Sequence, residues 1–202
     1  MRSIPAPRTS RTPLLLASLC MALGLGACDR QSAPEPAVVD DAAPAPAAAP
    51  AEPGATAILA ATQGNAVNGS LRFEAVDGGV HVTGQVVGLA PDSSHGFHVH
   101  ETGDCSAPDG SSAGGHFNPA GSRHGRVGSP PHHAGDSDNL QANADGVAAV
   151  DNHLGGATLG DGSATDIVGK GVIVHAGPDD YSTQPTGDAG ARLSCGVIEA
   201  AR

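Results

Sequence analysis

The chain has 202 residues, with 10 lysines and arginines against 21 aspartates and glutamates, a formal charge of −11. That excess of acid argues against nucleic acid as a partner. The length suits one domain with a leader, and only four aromatic residues are present, Phe73, Phe97, Phe117 and Tyr181, so a core must come from Val, Ile, Leu and Ala.

Residues 1–27 read as an export signal. Arg2, Arg8 and Arg11 form a basic start, and Leu14 to Leu25 is a 12-residue apolar run. A membrane span needs roughly 20 apolar residues. The run ends Leu25-Gly26-Ala27-Cys28, which resembles the lipobox of bacterial lipoproteins. That resemblance implies lipidation of Cys28 and membrane attachment through an N-terminal lipid. Asp29 after Cys28 resembles an inner-membrane retention signal of some bacteria. Processing leaves seven basic residues against 21 acidic ones, a formal charge of −14 (seven minus 21).

Residues 28–54 read as an Ala/Pro-rich disordered tether. Six prolines and nine alanines lie between Ala33 and Pro53, too little apolar bulk to pack. At about 3.1 Å per residue such a segment reaches roughly 80 Å at most.

Residues 55–202 read as one all-β domain. Ala57 to Ala61 is a short apolar run. Ser70 to Val76 and Val80 to Val86 alternate with period two, and Asp77-Gly78-Gly79 between them signals a hairpin. His95 to Glu101, Gly146 to Val150, Gly171 to His175 and Ser194 to Glu199 are further strands. An antiparallel barrel or sandwich fits. Residues 102–135 and 176–193, rich in Gly, Ser, Pro, Asp and Thr, are long enough as loops to be functional.

Cys20 leaves with the leader and Cys28 is the lipid site. Cys105 and Cys195 remain, and one intrachain disulfide is the default in an oxidising compartment. All ten histidines lie beyond the leader. His98-Val99-His100 puts two imidazoles on one face of a strand. His116, His124, His133 and His175 follow, with Asp136 three residues after His133. Imidazole suits copper and zinc, and zinc also accepts carboxylate. His81, His95, His132 and His153 read instead as ordinary hydrogen-bonded polar residues.

The motifs Gly96-Phe97-His98-Val99-His100-Glu101, Gly103-Asp104-Cys105, Gly115-His116-Phe117-Asn118-Pro119, His124-Gly125, His133-Ala134-Gly135-Asp136, Val174-His175 and Gly190-Ala191-Arg192-Leu193-Ser194-Cys195-Gly196-Val197-Ile198 together resemble the exported bacterial copper/zinc superoxide dismutases. The resemblance implies an eight-stranded antiparallel Greek-key barrel or sandwich with two long functional loops. It implies copper on His98, His100, His116 and His175, and zinc on His116, His124, His133 and Asp136, one of each per subunit. His116 bridges the two and serves as catalytic proton donor. Arg192 guides superoxide, Asp179 links a copper histidine to a zinc histidine, and Cys105 pairs with Cys195. The implied activity is dismutation of superoxide to dioxygen and hydrogen peroxide by alternation of Cu(II) and Cu(I), in the periplasm, by a monomer or homodimer.

The loop from His175 to Arg192 holds no lysine, so the guiding lysines of eukaryotic relatives are missing. Arg192 is then the main attractor of an anion, with Arg123 and Arg126 as further candidates. A copper and zinc buffer or delivery protein is the alternative reading; it needs neither Arg192 nor a bridging His116. An electron-transfer copper protein usually uses a Cys and an axial Met. Met1 and Met21 both lie in the leader. A copper-only relative is disfavoured by the full set His124, His133 and Asp136.

Overall fold

The computed structural model describes residues 54–201. The leader, Cys28 and the tether through residue 53 lie outside the described residues. Strands are β1 (Gly54–Ala61), β2 (Asn68–Val76), β3 (Gly79–Val87), β4 (Ser94–His95), β5 (Phe97–His100), β6 (Leu140–Gln141), β7 (Val147–Gly155), β8 (Gly171–His175), β9 (Arg192–Val197) and β10 (Glu199–Ala200). One 3-10 turn, Ser111–Ala113, completes the described elements. β1 takes in Gly54, the last residue of the expected tether.

Alternation does most of the building. In β1, Ala55, Ala57 and Leu59 are buried while Thr56, Ile58 and Ala60 face out. Leu71 and Phe73 of β2 and Val80, Val82 and Val86 of β3 continue the inner face. Val76 pairs with Gly79 across Asp77-Gly78, and Gly78 sits at φ 78°, the left-handed region a tight hairpin turn requires.

Eight strands form one antiparallel sheet in the order β5-β8-β9-β1-β2-β3-β7, with β10 also on β1. β4 and β6 pair separately. The sheet curls, so that inner side chains from β1, β2, β3, β5, β7 and β8 share one core centred on Phe73, Phe97, Leu140, Leu154, Ile167 and Ile198. This is the antiparallel barrel-like fold read from the sequence. β7 runs to Gly155, five residues past its expected end, because His153 faces out and Leu154 in, continuing the alternation through polar residues.

β5 and β8 carry no exposed residue. Two long connections leave this buried centre, residues 101–139 after β5 and 176–191 after β8. The first folds back on its own strand: Phe117 N–H donates to Val99 O, and Val99 N–H donates to Gly135 O, both at 2.9 Å. Cys105 is bonded to Cys195 of β9 across 90 residues, which ties this loop to the sheet.

Candidate metal centre

His98 and His100 leave the same face of β5, one strand period apart. β8 pairs antiparallel with β5 and brings in His175 at its end. His116 reaches the group through an isolated antiparallel bridge with His100. These four imidazoles are buried, and each offers a ligand atom within 4.8 Å of the others.

Hydrogen bonds decide which nitrogens face inward. His100 Nδ1 donates to Gly114 O at 2.9 Å, and His175 Nδ1 donates to Gly190 O at 3.1 Å. A carbonyl can only accept, so each Nε2 is bare. Those two bare nitrogens face one another at 3.4 Å, an arrangement that a cation between them relieves. His98 Nε2 donates to Asp179 Oδ2 at 2.7 Å. That leaves His98 Nδ1 buried without a partner, and His116 Nε2 is likewise buried and unpartnered. Buried polar atoms are normally paired, so four nitrogens converge on a space that fits a copper ion.

His116 also belongs to a second buried group, with His124, His133 and Asp136. The Nδ1 atoms of His116, His124 and His133 lie 2.9, 3.0 and 3.2 Å from the same oxygen, Asp136 Oδ1. Metal–ligand bonds of about 2.0–2.1 Å in a tetrahedron put ligand atoms roughly 3.3 Å apart. Three imidazoles and one carboxylate at nearly that spacing fit zinc. The other oxygen, Asp136 Oδ2, accepts from His133 N–H and Gly125 N–H at 2.8 and 3.1 Å, which fixes the carboxylate.

Asp179 joins the groups. Its Oδ2 takes His98 Nε2–H, and its Oδ1 takes His124 Nε2–H at 2.9 Å and Tyr181 N–H at 2.7 Å. Such outer bonds set ring orientation and tautomer. Arg192 starts β9 and pairs with His175 across a bulge between Val174 and His175. Bulges re-aim side chains; here the slip sets Arg192 opposite a candidate ligand. Its guanidinium donates to Gly110 O at 2.7 Å and Gly114 O at 2.6 Å. Gly114 O thus serves both Arg192 and His100.

The remaining four histidines belong to neither group. His81 meets Asp151 at 2.6 Å on the outer face. His95 is buried between Ser93 Oγ and His175 O, and His132 Nδ1 donates to His133 O. His153 is exposed. Arg126 is ion-paired with Asp138 at 2.8 Å and lies over the Tyr181 ring, so its charge is largely spent locally. Arg123 is exposed.

Two residues without any sequence signal complete the site. Asn139 clasps the backbone of Asp179, accepting from its N–H at 2.8 Å and donating to its C=O at 2.9 Å. Gln184 does the same for His124, at 2.9 Å both ways. An amide in a polar loop gives no pattern from which such a role can be read.

Protonation follows burial and partners. Burial pushes His98 down to about 4 and His175 to about 3, and His100 well below 6.5. Burial also disfavours charge on His124, but hydrogen bonds to Asp136 and Asp179 outweigh it and raise its pKa to about 9. For both carboxylates burial works against charge, and the histidine bonds win, holding them well below the usual range.

A pH dependence follows for the metal-free protein. Unfolded histidines titrate near 6.5. Since His98 and His175 stay neutral in the fold, stability falls as pH drops from 6.5 toward 4 and 3. His98 alone accounts for about 3 kcal/mol of this fall. The stabilisation from His124 has the opposite sign: it is complete below 6.5 and is lost as pH rises through 9. Denaturant midpoints are expected to peak near neutrality and to fall on both sides. A midpoint that keeps rising from pH 7 to pH 5 contradicts this account.

Comparison with known proteins agrees with the geometry. A family model described as copper/zinc superoxide dismutase (SODC) matches residues 67–198. The superoxide dismutase-like protein YojM of Bacillus subtilis is 35% identical over 195 residues, covering 92% of this chain and 95% of that protein. Copper–zinc superoxide dismutase 2 of Aquifex aeolicus is 37% identical, covering 71% of this chain and 85% of that one. A crystal structure of a SOD-like protein from Bacillus subtilis superposes with a TM-score of 0.64 at 39% identity, covering 70% of this chain and 96% of that one. With residues 67–198 on the family model and a 35%-identical relative covering 92% of this chain, the chain belongs to the copper/zinc superoxide dismutase family.

Proposed function

We propose that this protein dismutates superoxide, two anions and two protons yielding one dioxygen and one hydrogen peroxide. One observation carries the reading: His116 is common to an all-imidazole group and to a three-imidazole, one-carboxylate group. A buffer for two metals has no need of a shared ligand. Copper on His98, His100, His116 and His175 supplies a one-electron couple when bound, while zinc on His116, His124, His133 and Asp136 supplies charge without redox chemistry.

The protein's own residues do the rest. His116 keeps Nδ1 in the second group, while its unpartnered Nε2 is the nitrogen that would ligate copper and that carries a proton only when not bound to the metal. Proton transfer from a positioned imidazole is general acid catalysis. Asp179 and the carbonyls of Gly114 and Gly190 keep the other rings from turning. Arg192, pinned by two carbonyls, presents fixed positive charge beside His175 and draws the anion toward a site in an acidic protein.

Arg192→Ala is expected to slow dismutation about tenfold or more at low ionic strength and to flatten its salt dependence. An unchanged low-salt rate removes Arg192 from this role. The leader and lipobox support export to the periplasm, with Cys28 lipidated and the domain held by its tether.

The reading is tested by superoxide decay with the domain loaded with copper and zinc, beside the same protein with zinc alone. Fast decay that requires copper is the expected result. Tight binding of both metals without turnover favours a buffering or delivery role.

A further inference from the structure

We infer that the turn of residues 184–187 is a latch for the zinc-type group, with Gln184 and Gly187 as positioning residues that govern how long His124 holds its metal. The inference rests on the zinc assignment above.

The second group is held unevenly. His133 and Asp136 are three residues apart and fix one another, since Asp136 N–H donates to His133 O at 3.2 Å and His133 N–H donates to Asp136 Oδ2 at 2.8 Å. His116 is paired through its backbone bridge to His100 on β5. His124 is supported by the backbone of its own loop only through its neighbour, Gly125 N–H donating to Asp136 Oδ2 at 3.1 Å; its own main-chain groups are held from elsewhere. Its main-chain N–H donates to Gln184 Oε1, and its C=O accepts from Gln184 Nε2, each at 2.9 Å. One side chain from the other long loop, 60 positions away, satisfies both main-chain polar groups of a buried candidate ligand.

Gly187 closes the same turn against the ligand's ring. Its N–H donates to Thr183 O at 2.7 Å, and its C=O accepts from Asp180 N–H at 2.9 Å. The Asp180 carboxylate ties down Ser182 N–H and Thr183 N–H, both at 2.8 Å. A methyl group on Gly187 would stand 1.8 Å from Asp179 Oδ1 and 2.8 Å from His124 Nε2. The backbone is also at φ +66°, where a Cβ is disfavoured. The turn therefore lies flush on the Asp179–His124 hydrogen bond and leaves room only for hydrogen.

These contacts are selective. Gln184 hydrogen-bonds His124 and the Ser182 carbonyl, with none of these bonds going to His98, His100, His116 or His175. Gly187 abuts Asp179, which also holds His98. Loss of the Gln184 clasp leaves a buried N–H and C=O of His124 unpaired, which favours local opening at that one ligand. A side chain at 187 displaces Asp179 and disturbs both groups.

The test is metal release from the full chain loaded with copper and zinc, read by a zinc-selective chelator together with the copper electron paramagnetic resonance signal. Gln184→Met keeps the volume and removes both bonds. It is expected to release zinc about 10–100-fold faster, the scale of losing an outer-shell partner, with copper release unchanged. Gln184→Glu retains the acceptor for His124 N–H and is expected to fall between; it also serves if the Met variant folds poorly. Gly187→Ala is expected to perturb the copper signal as well. Cobalt placed in the zinc group gives an absorption band that reports His124 directly and is independent of turnover. Wild-type zinc retention in both Gln184 variants overturns the latch, and so does equal loss of zinc and copper, which marks general loosening. Failure of the unmutated chain to bind zinc is seen before any variant is compared; it removes the zinc assignment and the latch with it.

Discussion

His116→Ala is expected to lower copper-dependent superoxide turnover by about 10²–10⁴-fold, the range over which a positioned proton donor contributes. The substitution removes the one side chain shared by both groups. The four-histidine group keeps His98, His100 and His175, whose orientations are set by Asp179, Gly114 and Gly190 independently of His116. Copper is therefore expected to remain bound with an altered paramagnetic spectrum. The second group falls to three members and is expected to hold zinc more weakly. Superoxide decay followed in a stopped-flow instrument at saturating copper separates lost metal from lost chemistry. Turnover within threefold of the parent at full copper occupancy removes His116 from the proton path. His81, bonded to Asp151 on the outer face, supplies the matched control: His81→Ala is expected to leave turnover unchanged.

Loss of the Cys105–Cys195 bond is the largest expected effect on stability. The bond closes 90 residues, and chain-entropy estimates for such a loop are about 4–5 kcal/mol. For a domain near 150 residues that corresponds to a fall in Tm of roughly 10–20 °C. The consequence extends to the site. Cys195 lies three residues beyond Arg192 on β9, and Cys105 lies on the loop whose Gly110 and Gly114 carbonyls hold the Arg192 guanidinium. Cutting the bond loosens both ends of that arrangement and frees the carbonyl that orients His100. Thermal unfolding of the metal-free protein with and without reductant, beside a Cys105→Ser/Cys195→Ser variant, checks the estimate. A Tm change under about 2 °C shows that the sheet holds the loop without the bond.

Much of the site is legible in the chain because its determinants are local. Strand alternation alone puts His98 and His100 on one face of β5, and Asp77-Gly78 alone turns β2 into β3. Other features give no such signal. The bulge that sets Arg192 opposite His175 depends on where β8 and β9 fall out of register. The two-residue strands β4 and β6 exist only because their partners are brought together from 45 or more positions away. Arg126 reads as a free positive charge until the fold seats Asp138 and Tyr181 beside it.

The sequence by itself determined the all-β class, the hairpin, the availability of Cys105 and Cys195 for pairing, and a set of six histidines and one aspartate with metal-ligand chemistry. Those properties depend on residue type and on the two-residue period of an extended backbone, which operate within a few positions. The tertiary structure placed Asp179 across both groups, a link the sequence carried only through its family resemblance, and decided that two bare nitrogens of His100 and His175 face each other and that Gln184 and Gly187 close over His124. Those contacts join residues 55 to 81 positions apart. Each depends on how the sheet curls and how two loops meet, which no local pattern encodes.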